Sequence, residues 1–289
     1  MNDISILEHI NNINNNGFTI IRNGVEDEVV NKVIAEFDEW ASNEENNFKK
    51  FNKNRVCNFH IYSENTMNLV TNKYVNQILK GLFDKEQVIY SSLFFREGTA
   101  QHFHRDTPHF YTNPIDMYYG VWYSLEDIDV NAGPLKYYIG SHKLEDPIGY
   151  QVFNEVYKDV ENKDDINIGS DYTCIIEYNK YIEELSIKNN LICVDESNYI
   201  NKINKGDIII WHPKLLHGGS NIMNGKLTRY SMVTHNIPIN TQVFNAKHFF
   251  TKEPTPDYLK NEFTFTYIKY NDINIVNHWC EPHVQTSYV

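Results

Sequence analysis

The sequence lacks the features of a secreted or membrane-spanning protein. Its four cysteines form no CxxC pair and no dense framework, so they indicate reduced thiols rather than disulfides. No apolar run approaches the length of about 18 residues that a membrane-spanning helix needs. The first 20 residues lack a basic start followed by a continuous apolar core, so we expect no signal peptide. Together these absences predict a cytoplasmic protein in a reducing compartment.

Basic residues are scarce relative to acidic ones. The chain has 26 Lys and Arg against 38 Asp and Glu, which gives a formal net charge of −12. Such a surface disfavours nucleic acids and anionic membranes as partners, because both bind basic patches. A small anionic substrate remains compatible, since one arginine in a pocket is sufficient to bind it. We therefore expect a small-molecule substrate, and no pattern indicates an oligomeric state.

Aromatic residues and short apolar segments, by contrast, are abundant. Of the 289 residues, 41% are hydrophobic and 14% aromatic, which is enough for a large core. Helices are predicted over 3–16 and 26–41, with a strand at 18–22 between them. Further strands are predicted at 88–96, 101–105, 117–125, 134–138, 207–211, 228–237 and 264–270. This pattern predicts a mainly β fold of the α+β type, with N-terminal helices beside a barrel such as a jelly roll.

No internal repeat or linker divides the chain, so we expect a single domain over residues 1–289. Residues 144–203 are charged and mixed in pattern, and they interrupt the series of strands. We interpret them as an insertion that covers the mouth of the barrel. The residues after 238 form a C-terminal extension.

The most informative segment is QHFHRDTPHF at 101–110. On a strand, residues two positions apart face the same side, so His104 and Asp106 are expected to project together. One imidazole and one carboxylate are two thirds of a 2-His-1-carboxylate triad, which holds Fe(II) and leaves coordination positions open. An HxD pattern alone also occurs by chance.

A second segment, GDIIIWHPKLLHGGSNIMNGKLTRYS at 206–231, strengthens this interpretation. An apolar strand is followed by His217, the candidate for the third ligand, which we prefer to His212 because His212 precedes a proline. Arg229 and Ser231 share a strand face further on. A guanidinium group beside a hydroxyl group suits the far carboxylate of a dicarboxylic 2-oxo acid whose other end chelates the metal.

These motifs, in this order, resemble the Fe(II)/2-oxoglutarate-dependent dioxygenases. The finer resemblance is to the phytanoyl-CoA dioxygenase-like family, which includes ectoine hydroxylases. Further similar segments are NGFTIIRNGV at 16–25, GVWYSLED at 120–127, NAGPL at 131–135 and GSHK at 140–143. The resemblance covers about residues 16–42, 88–143 and 205–237.

The resemblance implies a double-stranded β-helix (jelly roll) that uses Fe(II), 2-oxoglutarate and O₂. The implied iron ligands, which form the catalytic centre, are His104, Asp106 and His217. The implied cosubstrate residues are Arg229 and Ser231, which hold the C5 carboxylate, and Trp122. Relatives often have a serine two residues after the distal histidine, where this chain has Gly219 followed by Ser220.

The implied reaction is hydroxylation of an unactivated C–H bond in a small sugar-, amino-acid- or natural-product-like metabolite. Gln101, His109 and His235 are candidates for contacting that substrate, although the two histidines are equally compatible with structural roles. Two alternatives remain open. One is a cupin-like metal oxygenase that uses the HxH pair of His102 and His104 and no 2-oxoglutarate, and the other is a catalytically silent binding relative.

Overall fold

The fold is given by a computed structural model, which describes residues 5–46, 48, 55–163, 166–168, 171–195, 197–198, 200–251, 265–277 and 282–284. The α-helices are α1 (Ile6–Asn16), α2 (Asp27–Ser42), α3 (Glu64–Val70), α4 (Lys73–Phe83), α5 (Gly149–Val156), α6 (Thr173–Lys188) and α7 (Ala246–Thr251), and short 3-10 helices lie at Glu44–Asn46, Phe59–Ile61 and Ser141–Lys143. The strands are β1 (Phe18–Ile21), β2 (Arg55–Cys57), β3 (Gln87–Phe95), β4 (Tyr111–Asn113), β5 (Tyr119–Ser124), β6 (Leu135–Tyr138), β7 (Cys193–Val194), β8 (Ile208–Trp211), β9 (His217–Gly219), β10 (Ser231–Pro238), β11 (Gln242–Phe244), β12 (Tyr267–Tyr270), β13 (Ile273–Val276) and β14 (His283–Val284). Within these ranges, every helix is too short or too polar to span a membrane.

One large sheet forms the centre of the fold. Its main path runs β1-β8-β5-β10-β3-β13-β12, and β2 and β14 extend it beside β3. Strand β3 has two neighbours on one edge, because β13 pairs in parallel with Val88 and Ile89 while β2 pairs antiparallel with residues 93–95. Among the described strands, neither of these two neighbours pairs with residues 90–92. That edge of β3 is therefore forked.

The two faces of the large sheet are buried against different partners. Along β8, Ile208 and Ile210 pack in the core that contains the N-terminal helices, whereas Ile209 and Trp211 pack in a second core on the opposite face. This alternation follows from the period of two along a strand. A strand that is buried on both faces has a continuous apolar sequence, as IIIW at 208–211 has.

Helix α2 shows how the sequence builds the first of these cores. Val30, Val33, Phe37 and Trp40 recur at helical spacing, and all four side chains are buried. The ring of Phe37 stacks on Phe94 of β3, with 4.0 Å between the ring centroids. The predicted helix over 26–41 is confirmed, with each end displaced by one residue.

A smaller sheet, β7-β6-β9, covers the second face of the large sheet. Tyr137 of β6 and Val194 of β7 pack there against Phe18, Trp122 and Val233 of the large sheet. Two sheets packed face to face, with helices outside, form the double-stranded β-helix that the sequence predicts.

The predicted strand at 101–105 is wrong. Within this segment only His104 forms a bridge, and its partner is His217 of β9. The chain then leaves the ladder and turns: the N–H of Asp106 donates to the Pro213 carbonyl, and the N–H of His109 donates to the Asp106 carbonyl, each over 2.9 Å. The carboxylate of the HxD motif therefore projects from a turn rather than from a strand.

The region 144–203 contains α5, α6 and β7. Phe153, Tyr178 and Ile182 of this region pack against Leu216 and Phe250. Contrary to the expectation that it covers the mouth of the barrel, none of its described residues lines the cavity that the next section describes. The region lies behind the HxD segment instead.

An ion pair between a buried arginine and a partly exposed aspartate joins this region to the HxD segment. The side chain of Arg105 is fully buried and pairs with Asp146, and the Lys214 ammonium group lies 2.9 Å from the same carboxylate. The Tyr178 hydroxyl donates to Asp146 over 3.1 Å, and the Arg105 N–H donates to the Asn179 side-chain oxygen over 3.0 Å. Removing one partner of such a network leaves a buried charge without compensation, which costs more than the network itself contributes.

We therefore expect Asp146→Ala to lower the free energy of unfolding by about 3 kcal/mol, because it leaves the Arg105 charge buried. Urea denaturation followed by tryptophan fluorescence measures this change. The matched control is Glu155→Ala, which removes an exposed carboxylate 3.0 Å from Lys158 and should change the stability by no more than about 0.5 kcal/mol. Equal losses in the two variants would show that the buried network contributes no more than a surface pair.

Candidate metal centre

Main-chain pairing brings the three predicted metal ligands together. His104 and His217 lie opposite each other: the N–H of His104 donates to the His217 carbonyl over 2.8 Å, and the reverse hydrogen bond measures 3.0 Å. The Nε2 atom of each histidine lies 3.9 Å from Oδ1 of Asp106. One ligand atom from each of the three side chains lies within 4.8 Å of the others. Two imidazoles and one carboxylate at this spacing are the donor set of a non-haem Fe(II) site.

Each histidine is oriented by its second ring nitrogen. Nδ1 of His104 lies 2.9 Å from the His102 carbonyl, and Nδ1 of His217 lies 2.9 Å from the Leu215 carbonyl. A carbonyl accepts only, so Nδ1 carries the proton in both rings and Nε2 presents its lone pair. Metal-binding histidines are usually fixed in this way.

The carboxylate of Asp106 is oriented by an indole. The Nε1–H of Trp211 donates to Oδ2 of Asp106 over 2.8 Å, which leaves Oδ1 towards the two histidines. Gly120 lies opposite Trp211 on the neighbouring strand, and a Cβ atom at Gly120 would collide with the indole ring. Because Gly120 has no side chain, the Trp211 ring fits beside it and can donate its hydrogen bond to Asp106.

The electrostatics of the site favour the forms that bind a cation. Burial lowers the pKa of His104 to about 3, and the neighbouring His217 ring adds to this effect, so His104 is neutral at neutral pH. Burial opposes ionisation of Asp106, but the two histidines and the Trp211 hydrogen bond outweigh it and lower the pKa of Asp106 below its ordinary value. A neutral imidazole and an ionised carboxylate are the states that a divalent metal requires.

A cavity of about 370 Å³ opens onto the three ligands, and Arg229 and Trp122 line it. The Arg229 side chain is buried, and it donates to the Gly133 carbonyl over 2.8 Å. Ser231 is also buried, but its hydroxyl donates to the Arg229 carbonyl over 3.3 Å, and Ser231 is not among the residues that line the cavity. The structure thus places Arg229 and Trp122 at the cavity surface, and Ser231 behind it.

The three residues predicted to contact substrate also line this cavity. The amide nitrogen of Gln101 lies 3.4 Å from Nε2 of His104, and the Ser91 hydroxyl lies 2.7 Å from Nδ1 of His235. Burial lowers the pKa of both His109 and His235 to about 4, so both rings are neutral at neutral pH.

Steric constraints explain why two glycines, Gly218 and Gly219, follow His217. A Cβ atom at Gly218 would lie 2.6 Å from the Gln101 carbonyl oxygen, and one at Gly219 would lie 3.0 Å from the Ala100 nitrogen. The chain before the HxD motif therefore passes too close to β9 for a side chain at Gly218 and leaves little room for one at Gly219. Ser220, the next residue of the chain, is fully buried and does not line the cavity, whereas Thr99, whose hydroxyl oxygen would lie 3.1 Å from a Cβ atom at Gly219, does line it.

The sequence analysis missed two residues of the site. Trp211 ends an apolar strand and shares the inner face with Ile209, so strand parity could have shown that it points towards the barrel interior. Arg55 lines the cavity, and its signal in the sequence is the basic run KKFNKNR at 49–55, a pattern that is more typical of a solvated surface than of a cavity wall. His212, by contrast, is absent from the metal cluster, and its ring lies 5.3 Å from that of His142.

Solved structures share this fold. EctD from S. alaskensis, crystallised with 2-oxoglutarate and 5-hydroxyectoine, superposes with a TM-score of 0.62 at 12% identity, covering 95% of this chain and 89% of that one. The non-heme alpha ketoglutarate dependent carbocyclase SnoK from nogalamycin biosynthesis gives a TM-score of 0.60 at 13% identity, covering 88% and 92%. Iron-bound HygX from Streptomyces hygroscopicus gives a TM-score of 0.52 at 14% identity, covering 81% of this chain and 86% of that one. At these identities the likeness is one of fold alone.

No curated protein matches the chain by sequence. The sequence model of the family described as Phytanoyl-CoA dioxygenase (PhyH), however, matches residues 13–230. This span is well over half of the chain, and it contains the three clustered ligands and Arg229. The chain therefore belongs to the phytanoyl-CoA dioxygenase (PhyH) family.

Proposed function

We propose that the protein is an Fe(II)- and 2-oxoglutarate-dependent oxygenase that hydroxylates an unactivated C–H bond of a small metabolite. The observation that carries this proposal is one cavity that contains both a His-Asp-His cluster and a buried arginine. A His-Asp-His cluster binds a divalent metal ion on one face of the ion, and an arginine binds a carboxylate.

Arg229 fits the far carboxylate of 2-oxoglutarate for two reasons. Arg229 as a residue is 4% exposed, so an ion pair formed there is shielded from water. Its hydrogen bond to the Gly133 carbonyl fixes one nitrogen and thereby orients the planar group. A ligand that joins the metal to Arg229 needs an acidic group at one end and a chelating group at the other, as 2-oxoglutarate has.

The bound metal and cosubstrate supply the oxidising chemistry, and the chain supplies position and environment. The Asp106 carboxylate compensates part of the metal charge, and Trp211 keeps one of its oxygens directed at the metal position. Phe95 and Val233 contribute apolar surface to the cavity. Such surface excludes water, which strengthens the ion pairs inside.

The size of the cavity supports a small substrate. Its volume of about 370 Å³ is near the lower end of the range of roughly 300–1,000 Å³ for ligand pockets. Cosubstrate and substrate must share it. The fold also supports a carbocyclase and an epimerase among the similar structures. Hydroxylation is proposed here because EctD was crystallised with a hydroxylated compound, 5-hydroxyectoine.

The proposal is tested by adding Fe(II) and 2-oxoglutarate to the protein without oxygen. Chelation produces a weak charge-transfer band in the visible spectrum, and we expect this band in the wild type and its loss in His217→Ala. The matched control is His102→Ala, which removes an exposed imidazole next to the cluster and should retain the band. Bound iron without a band would overturn the proposal and favour the cupin-like or silent alternative. Loss of the band in His102→Ala would show that the band does not report the cluster of His104, Asp106 and His217 alone.

We expect Arg229→Ala to raise the 2-oxoglutarate concentration needed for half-saturation of this band by about 10- to 100-fold, because it removes hydrogen bonds to a charged group. Arg229→Lys should recover only part of the affinity, since an ammonium group cannot form the planar double hydrogen bond. Unchanged half-saturation in Arg229→Ala would contradict the assignment of Arg229 to the cosubstrate.

Trp211→Phe should weaken metal binding by about 10- to 100-fold, because it removes the hydrogen bond to Asp106 and keeps most of the ring. Anaerobic titration with Co(II), followed by its visible absorption, measures this affinity. The matched control is Trp40→Phe, which changes a buried tryptophan of α2 in the other core. Equal metal affinity in the two variants would show that the indole does not act through the ligand.

A further inference from the structure

The cavity contains a second arginine that the proposed function does not use. Arg55 of β2 is the cross-strand partner of Phe95, so the two side chains share a face of the sheet. The guanidinium carbon of Arg55 lies 5.4 Å from the Phe95 ring centroid, and that of Arg229 lies 5.9 Å from it. Because β2 and β10 flank β3, the two guanidinium groups approach this ring from opposite sides of the strand.

Gln101 connects Arg55 to the metal cluster. The Arg55 guanidinium donates to the Gln101 side-chain oxygen over 3.2 Å, and the Gln101 amide nitrogen lies 3.4 Å from Nε2 of His104. One amide group thus spans the distance between the guanidinium and a coordinating atom. When Nε2 binds a metal, its lone pair is no longer available to the amide. The Gln101 N–H groups then face the cavity and can donate to a substrate.

The two arginines of the cavity have different tasks in the proposed complex. Arg229 pairs with the far carboxylate of the cosubstrate, whereas Arg55 lines another part of the cavity and donates to the neutral Gln101 amide. A guanidinium group at a site that is partly removed from water attracts a negatively charged group of a substrate, and it can form charge-assisted hydrogen bonds with it.

We infer that the primary substrate is a small carboxylic acid whose carboxylate binds the Arg55 guanidinium, with the Gln101 amide donating a further hydrogen bond. This inference rests on the proposed function. A carboxylate fits better than a phosphate, because one planar guanidinium matches two coplanar oxygens and no lysine is among the described cavity residues. A single amide group, that of Gln101, spans the distance between Arg55 and a metal ligand. The carbon of the substrate that reacts at the metal therefore lies within a few bonds of the carboxylate.

The test uses acids and their neutral amides as matched probes. The anaerobic complex of protein, Fe(II) and 2-oxoglutarate is titrated with N-acetyl-L-proline and N-acetyl-L-prolinamide, phenylacetate and phenylacetamide, and 3-hydroxybutyrate and 3-hydroxybutyramide. Perturbation of the charge-transfer band reports binding beside the metal. We expect at least one acid to bind about 10- to 100-fold more tightly than its amide. If no acid is preferred over its amide, the inference is overturned.

Variants then show whether Arg55 causes the preference. Arg55→Met keeps the length of the side chain and removes its charge, so the acid should lose its advantage over the amide. Arg55→Lys should restore part of that advantage. Lys158→Met removes an exposed cation of an i,i+3 surface pair and should bind acids like the wild type. Circular dichroism and the band itself verify that each variant is folded and loaded.

The outcomes separate this inference from the proposed function. If the wild type shows no band with 2-oxoglutarate, the proposed function fails and the inference fails with it. If the band forms but Arg55→Met keeps the preference for the acid, the inference alone fails. If Arg55→Met weakens 2-oxoglutarate binding as much as acid binding, Arg55 belongs to the cosubstrate site and the inference is overturned.

Discussion

The site depends on one pair of main-chain hydrogen bonds, those between His104 and His217. These bonds fix the distance between two segments that are more than a hundred residues apart in sequence, and the ligand side chains follow from that distance. The pairing requires the close approach that Gly218 and Gly219 permit. Because the Nδ1 atoms of both histidines bind carbonyl groups of their own segments, the rings have little freedom once the backbone is paired. The spacing of the two histidine ligands is therefore set by the pairing of the backbone, and the side chains add little freedom to it.

The residues of the HxD motif are held by different parts of the molecule. His104 pairs with β9, Arg105 is bound by Asp146 and Asn179, and Asp106 accepts from Trp211 of the large sheet. An irregular segment that carries two metal ligands is thereby fixed at three successive residues. The region 144–203 contributes to the site in this indirect way, by binding the residue between the ligands.

Much of the fold could be predicted from local pattern. The helix at 26–41 and the strands at 207–211 and 228–237 have strong periodicity or continuous apolar sequence, and each is present within a few residues. The segment 101–105 could not be predicted in this way, because its conformation is set by contacts with β9 and Pro213 rather than by its own residues. The same holds for the region 144–203, whose pattern shows that it is separate but not what it packs against.

The site was predictable to the extent that its residues lie in motifs. His104, Asp106, His217 and Arg229 were identified from spacing, and the structure brings them to one cavity. Arg55 enters that cavity only through the pairing of β2 with β3, a contact that no local sequence pattern encodes. Its role and those of Arg229, Trp122, Gln101, His109, His235 and Ser231 stay predictions.

The fork in the edge of β3 has a consequence for how this protein can evolve. Residues 90–92 lie between the ends of β13 and β2 and line the cavity. The clustered ligand His217 lies on β9, and Arg229 precedes β10, so both are outside this forked edge. Changes in β2 or β13 can therefore reshape one wall of the cavity without altering the ligand set. If the proposed function and the inferred role of Arg55 hold, substrate choice and oxidative chemistry are encoded in separate stretches of the gene, so selection can change the first while it preserves the second.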